Sequence, residues 1–163
     1  MHADDTDFTL RPAGPEDEDF LFALFVTSRE RELAALPLPP AQAEPFARMQ
    51  YESQLAGFRH VHPDARVLVV EAAGEPAGRL VLEDRPGELW VVDLALMPGQ
   101  RNAGLGAALL QHCMKRAIAE RLVMRGSVTP YNPARRLYAR LGIVELPSEG
   151  GATIPLEWRP PDS

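Results

Sequence analysis

At 163 residues the chain is long enough for one domain with a full hydrophobic core. Its 45% apolar and 25% charged content is that of an ordinary globular protein; no apolar run is long enough to cross a bilayer, so no membrane partner is expected. A net charge of −6 argues against nucleic acid as the main partner, and the acidic start MHADDTD lacks the pattern of a signal peptide, so a cytoplasmic protein is expected.

FTLRPA (8–13) alternates apolar and polar residues and predicts a first strand. PEDEDFLFALFVTSRERELAAL (15–36) opens with acids, which suit the positive end of a helix dipole, and carries an apolar stripe at Phe20, Leu21, Leu24 and Phe25. Four prolines in PLPPAQAEP (37–45) predict a loop. FARMQYESQLAGF (46–58) reads as a second helix stopped by Gly57, and His60 and His62 then fall in a solvated loop. RVLVVEA (66–72), PAGRLVLED (76–84) and ELWVVDLALM (88–97) are β-rich runs split by the turn signals AGE and RPG, an antiparallel meander. A long helix over about 104–120 follows, then a strand at LVMRGSV (122–128). NPARRLYARLG (132–142) is a short helix with Asn132 as N-cap, Pro133 in its first position and Gly142 as its stop. GIVEL and GATIPLEW close the chain as two strands around a PSEGG loop. The lone Cys113 lies four residues from both Leu109 and Ala117, which marks it as core packing.

The order is thus β-α-α-β-β-β-α-β-α-β-β. It predicts a single α/β (α+β) domain: a mixed, mostly antiparallel sheet of about seven strands with about four helices and one β-α-β crossover.

One stretch asks for more than packing. In PGQRNAGLGAALLQH (98–112), Gly104 and Gly106 bracket a leucine at the start of the long helix, three residues after Arg101. Glycine inside a helix costs roughly 0.5–1 kcal/mol relative to alanine. A helix start exposes unpaired N–H groups and carries partial positive charge, and glycine lets an anion approach them. Close packing of helix on sheet is the other reading. Residues 95–145, around this stretch, carry 8 Lys and Arg against 2 Asp and Glu, whereas residues 1–94 carry 8 against 18. The local basic balance favours an anionic ligand. No Lys-Ser or Lys-Thr follows as a Walker loop requires, and Leu109 stands where a Rossmann fingerprint needs its third glycine.

LALMPGQRNAGLGAALL resembles the acyl-CoA-binding signature of the GNAT N-acyltransferase superfamily, R/Q-x-x-G-x-G/A, met by Arg101, Gly104 and Gly106. NPARRLYARLG is similar to that family's second signature, an Asn-capped helix with a tyrosine six residues on. The resemblance covers about residues 7–158 and departs at Asn102, where glycine is usual, and at Ile143, where phenylalanine is usual.

The resemblance implies acetyl-CoA as co-substrate and no metal. It implies that the strands at 88–97 and 122–128 part to admit pantetheine, whose amides pair with the backbone of Leu94 and Leu96. It places the pyrophosphate on the loop and helix start, Arg101, Asn102, Ala103, Gly104, Leu105, Gly106 and Ala107, with Asn132 beside the pantetheine arm. Tyr138 stands where relatives carry the acid that protonates the leaving thiolate, and a strand N–H of Leu94 or Leu96 polarises the thioester carbonyl. Glu88 and Asp93 flank the fourth strand and are the candidate bases, acting through water; Trp90 occupies the position where several relatives carry their base, which argues against direct carboxylate catalysis and gives Asp93 the alternative role of orienting the strand or binding the substrate amine.

The implied reaction is transfer of an acetyl group to a primary amine of a small molecule. A protein N-terminus or lysine is the alternative acceptor. A CoA-binding sensor or scaffold without catalysis is an alternative of another class. The acceptor is expected among residues 27–32, Gln50, Tyr51, Gln54 and 147–151, with the proline-rich segment as a cover. Exposed sheet edges leave room for a homodimer.

Overall fold

A computed structural model describes residues 7–101, 104–148 and 150–161. Its elements are β1 (Thr9–Pro12), α1 (Glu18–Ser28), α2 (Glu30–Ala34), α3 (Pro40–Val61), β2 (Arg66–Ala72), β3 (Glu75–Arg85), β4 (Glu88–Leu96), α4 (Leu105–Glu120), β5 (Val123–Val128), α5 (Arg135–Arg140), β6 (Val144–Glu145) and β7 (Ile154–Trp158). The seven strands form one sheet in the order β1-β2-β3-β4-β5-β7-β6. The meander β2-β3-β4 is antiparallel as expected, and β4 and β5, joined through α4, are the one parallel pair. Ala73 and Gly74 turn the first hairpin, both at positive φ, the conformation that suits the right-handed twist of two-residue hairpins.

The sheet is covered on both faces. Leu105, Leu109, Cys113 and Ala117 of α4 pack on Val70, Leu80, Leu82, Leu89 and Met124. On the opposite face, Leu21, Phe22 and Phe25 of α1 meet Ala47 and Tyr51 of α3. Each fully buried leucine or phenylalanine contributes roughly 1.5–3 kcal/mol of transfer free energy. Cys113 is core packing as read from the sequence, and burial pushes its thiol up to about 11, which keeps it protonated and inert.

Three local expectations change. The helix expected over 15–36 divides at Arg29 into α1 and α2, giving five helices in place of about four. At the break, Thr27 and Ser28 donate their hydroxyls to the carbonyls of Leu24 and Phe25, at 2.8 and 2.7 Å, and Arg29 N–H is shared between Phe25 O and Val26 O, both at 3.1 Å, which tightens the last turn of α1. The proline-rich segment is not a loop throughout, because α3 begins at Pro40 with Pro39 as its N-cap and continues through Pro45. Pro40 fits the first turn, where its missing N–H costs nothing; Pro45, the sixth residue, lies inside the helix and removes the N–H that would pair with Ala41 O. Asn132 caps through an Asx turn, its Oδ1 accepting from Ala134 N–H at 2.9 Å, and the regular helix starts only at Arg135.

Candidate functional site

The site is made by two strands that part. β4 and β5 pair only at Glu88↔Val123, Leu89↔Met124 and Trp90↔Arg125. Beyond that point β4 carries one residue too many: Val81 faces Asp93 and Leu82 faces Val91, which leaves Val92 as a bulge. A bulge bends its strand and raises the local twist. Gly126 sits at the fork, where a Cβ would lie 3.1 Å from the Val91 carbonyl oxygen. Glycine lets β5 come this close without displacing the β4 backbone before the strands separate.

The separation exposes main chain. Met97 donates its N–H to Ala77 O on β3 at 2.8 Å. Strand alternation then turns the peptide groups of Leu96 and Leu94 the other way, into the gap on the β5 side. In agreement, Leu96 O accepts from Arg101 Nε at 3.2 Å. The gap holds a cavity of about 110 Å³ lined by residues from both faces of the sheet. Leu110 and Tyr138 close it on the α4 side; Asp93, Arg125 and Ser127 lie toward the α1/α3 side, and Asn132 completes the wall.

Tyr138 lies on α5, whose C-terminus is set by Gly142 at φ +86. Burial, with the negative charge of Asp93 added, pushes its phenol above the ordinary value, so it stays protonated. Its hydroxyl makes no hydrogen bond among the described residues. Asp93 is held from β3: Arg79 Nε and Nη2 both donate to Asp93 Oδ2, at 3.0 and 2.6 Å, and Nη2 also donates to Gln54 Oε1 at 3.1 Å. Arg79 is 3% exposed and lies near the ring of Phe58. Asp93 Oδ1 accepts no hydrogen bond among the described residues, so the pair leaves one oxygen for the cavity.

At the head of the gap, α4 starts from Gly104 in the left-handed region, φ 85 and ψ −3. Among the described residues its first helical bond runs from Ala108 N–H to Gly104 O at 3.0 Å, and the N–H groups of Leu105, Gly106 and Ala107 find no acceptor there. The Leu105 side chain itself is core. A Cβ at Gly106 would meet Leu137 and Leu96 at 3.6 and 3.8 Å, ordinary contact. Close packing therefore does not require glycine there. Asn102 and Ala103 lie outside the described residues.

Other expected positions are placed differently. Trp90 donates its indole N–H to Glu88 at 2.9 Å, and Glu88 accepts from Arg125 Nε at 2.5 Å, so Glu88 is an ion-pair partner. Tyr51 is core between Phe22 and Phe25, and Gln54 touches Arg79. His62 is not solvated: its Nδ1 lies 2.8 Å from Oε1 of the buried Glu83. Sequence reasoning missed Arg79 and Arg125. The available signal was a single arginine in each of two apolar strands, GRLVL and LVMRGSV, since a charge in such a run is seldom buried unless paired. Among the described residues no group of three or more His, Cys, Asp or Glu is placed to hold a metal.

No curated protein matches the sequence. Among solved structures, the PaiA N-acetyltransferase from Thermoplasma acidophilum in complex with coenzyme A superposes with a TM-score of 0.69 at 19% identity, covering 94% of this chain and 99% of that one. An acetyltransferase from Thermus thermophilus gives 0.65 at 19% identity over 93% and 96% of the two chains. The ribosomal-protein-S18-alanine N-acetyltransferase from Escherichia coli gives 0.63 at 17% identity over 96% of each. These likenesses show a shared fold. The family model for the acetyltransferase (GNAT) family matches residues 25–143, and the chain belongs to that family.

Proposed function

We propose that this protein transfers the acetyl group of acetyl-CoA to the primary amine of a small molecule by direct attack on the thioester. The observation that carries the reading is the parting of β4 and β5 after Trp90, with Tyr138 and Asp93 on opposite sides of the gap. The fit to the co-substrate rests on this chain's own groups. Three N–H groups at the α4 start that meet no acceptor among the described residues, with Arg101 nearby, suit a pyrophosphate. The inward-turned peptide groups of Leu94 and Leu96 suit an amide-bearing arm, and Asn132 stands beside it. That a solved structure of the same fold holds coenzyme A supports the assignment.

The chain's residues then divide the proton work. The neutral amine attacks the carbonyl carbon, a C–N bond forms, and the C–S bond breaks. An N–H of Leu94 or Leu96 polarises the carbonyl oxygen. As nitrogen shares its lone pair its proton becomes acidic, and Asp93 Oδ1 takes it, directly or through one water. Tyr138 donates a hydrogen bond to the departing sulfur. A phenol held above its ordinary value of about 10 is a weaker acid than a thiol near 8.5, so it steadies the developing thiolate and keeps its own proton. The thiolate takes its proton from water, and Asp93 returns to its starting state by releasing the amine's proton to water.

A protein acceptor is the second reading, supported by the shared fold of the Escherichia coli enzyme that acts on ribosomal protein S18. The small-acceptor reading rests on the cavity, about 110 Å³, and not on a proline-rich cover. The test is an acetyl-transfer assay with acetyl-CoA against amine and peptide panels. Turnover with small amines supports the proposal; turnover with peptides alone replaces it. Binding of acetyl-CoA without any turnover would leave a CoA-binding module.

A further inference from the structure

We propose that the acceptor is a small zwitterion of amino-acid type, its carboxylate held by Arg125 and its amine facing Asp93; this rests on the acetyl-transfer reading above. The acceptor side of the cavity carries charge of both signs. Asp93 and Arg125 both line it, from β4 and β5 respectively, on the face opposite Tyr138 and α4.

Arg125 is built as a fixed donor. Its Nε donates to Glu88 at 2.5 Å and its Nη1 donates to Glu157 at 2.9 Å, so carboxylates on β4 and β7 grip the guanidinium from two sides. Its Nη2 donates to nothing among the described residues, and its side chain keeps 24% exposure. A guanidinium locked at one end presents its remaining N–H groups at little entropic cost, the geometry that suits a carboxylate. Ser127, next on the same face of β5, adds a hydroxyl to the cavity wall.

The opposite wall is built in the same manner with the sign reversed. Arg79 fixes Asp93 through Oδ2 and leaves Oδ1 to the cavity. One wall therefore offers a free donor on a held arginine, and the other a free acceptor on a held aspartate. A plain amine would use only the second. The free Nη2 of Arg125 only donates, so a second ammonium of a polyamine would find no acceptor in it. An amine with a carboxylate on the same small skeleton satisfies both within the space available.

The test compares acetyl transfer to α- and ω-amino acids with transfer to the primary amides and decarboxylated amines of the same skeletons. Wild type, Arg125→Gln, Arg125→Lys and Arg159→Gln are used. Arg159 pairs with Glu157 from the exposed rim and does not line the cavity, so its variant controls for loss of an ion pair. The expected result is a preference for the acids of roughly tenfold to hundredfold in kcat/KM. Arg125→Gln should abolish that preference mainly through acceptor KM, with acetyl-CoA affinity kept; Arg125→Lys should restore part of it, and Arg159→Gln should retain it. Equal or better turnover of amides and amines by the wild type overturns this inference and leaves the acetyl-transfer reading standing. An Arg125→Gln variant that slows acids and amines alike would also overturn it. No turnover of any acceptor by protein that binds acetyl-CoA overturns both.

Discussion

Arg79 donates two hydrogen bonds to a single oxygen of Asp93, at 2.6 and 3.0 Å, from a position 3% exposed beneath β4. The contact fixes the carboxylate without using it up. Asp93→Asn keeps an oxygen for Arg79 and changes little in volume. The expected outcome is a folded protein that binds acetyl-CoA as wild type does, with kcat lower by roughly 10²–10⁴-fold, the usual span for loss of a general base. Steady-state kinetics with acetyl-CoA and amine varied in turn checks this. Unchanged kcat would remove Asp93 from the reaction.

Tyr138→Phe removes a hydroxyl that makes no hydrogen bond among the described residues, so thermal stability should hold while kcat falls by roughly 10²-fold. The sign of the pH effect follows from the cause. Burial and the charge of Asp93 both oppose the phenolate, so the donor form persists past the range of an ordinary tyrosine. An alkaline limb due to Tyr138 should lie above pH 10 and be absent in Tyr138→Phe. Stability should be intact below about pH 10 and fall above it, because unfolded tyrosines ionise there before the buried Tyr138 and Tyr51 do.

The two glycines of α4 should separate in mutagenesis. Gly104 sits at φ 85, so alanine there should cost roughly 1–2 kcal/mol and lower the melting temperature. Gly106 has room for a methyl against Leu137 and Leu96, so alanine should leave stability unchanged or raise it by up to about 1 kcal/mol. If an anion lies on the α4 start, Gly106→Ala should nevertheless weaken acetyl-CoA binding, by roughly tenfold. Paired melting curves and titrations decide the point.

Acid stability should be set by two carboxylates away from the cavity. Arg11 hydrogen-bonds Asp17 and holds it down at about 2. Burial alone would push Glu83 up, but hydrogen bonds from His62, Asp64 N–H and Arg85 outweigh it and hold its carboxyl below the ordinary range. Both depressed groups stabilise the fold above about pH 4, and that contribution is lost as pH falls toward 2. Denaturation followed across this window should show a steep loss in wild type and a shallower one in Asp17→Asn and Glu83→Gln.

Much of the fold was legible in the sequence because it rests on periodicity and turn chemistry. The AGE and RPG signals divided the meander, and Gly142 ended α5 where it was read. The break at Arg29 escaped because it falls within an otherwise helical pattern, with no glycine or proline to mark where the last turn of α1 tightens. The start of α3 escaped because prolines that mark a loop also fit a first helical turn. At the site, Tyr138, Asp93 and Asn132 line one cavity; Tyr138 and Asn132 stand in the second signature, whereas Asp93 was read only as a carboxylate flanking the fourth strand. The holding residues Arg79 and Arg125 showed only as lone arginines in apolar strands; which carboxylates they hold depends on cross-strand register that no local pattern encodes.

The central claim is that acetyl-CoA occupies the gap between β4 and β5 with its pyrophosphate at the α4 start. Calorimetric titration of acetyl-CoA into wild type and into an Arg101→Ala, Gly106→Glu variant tests it most directly. A glutamate near a helix start favours the helix dipole while repelling an anion, so the variant should fold. The account predicts micromolar binding by wild type, near about −8 kcal/mol, and none by the folded variant. Equal binding by both proteins, or none by folded wild type, would contradict it.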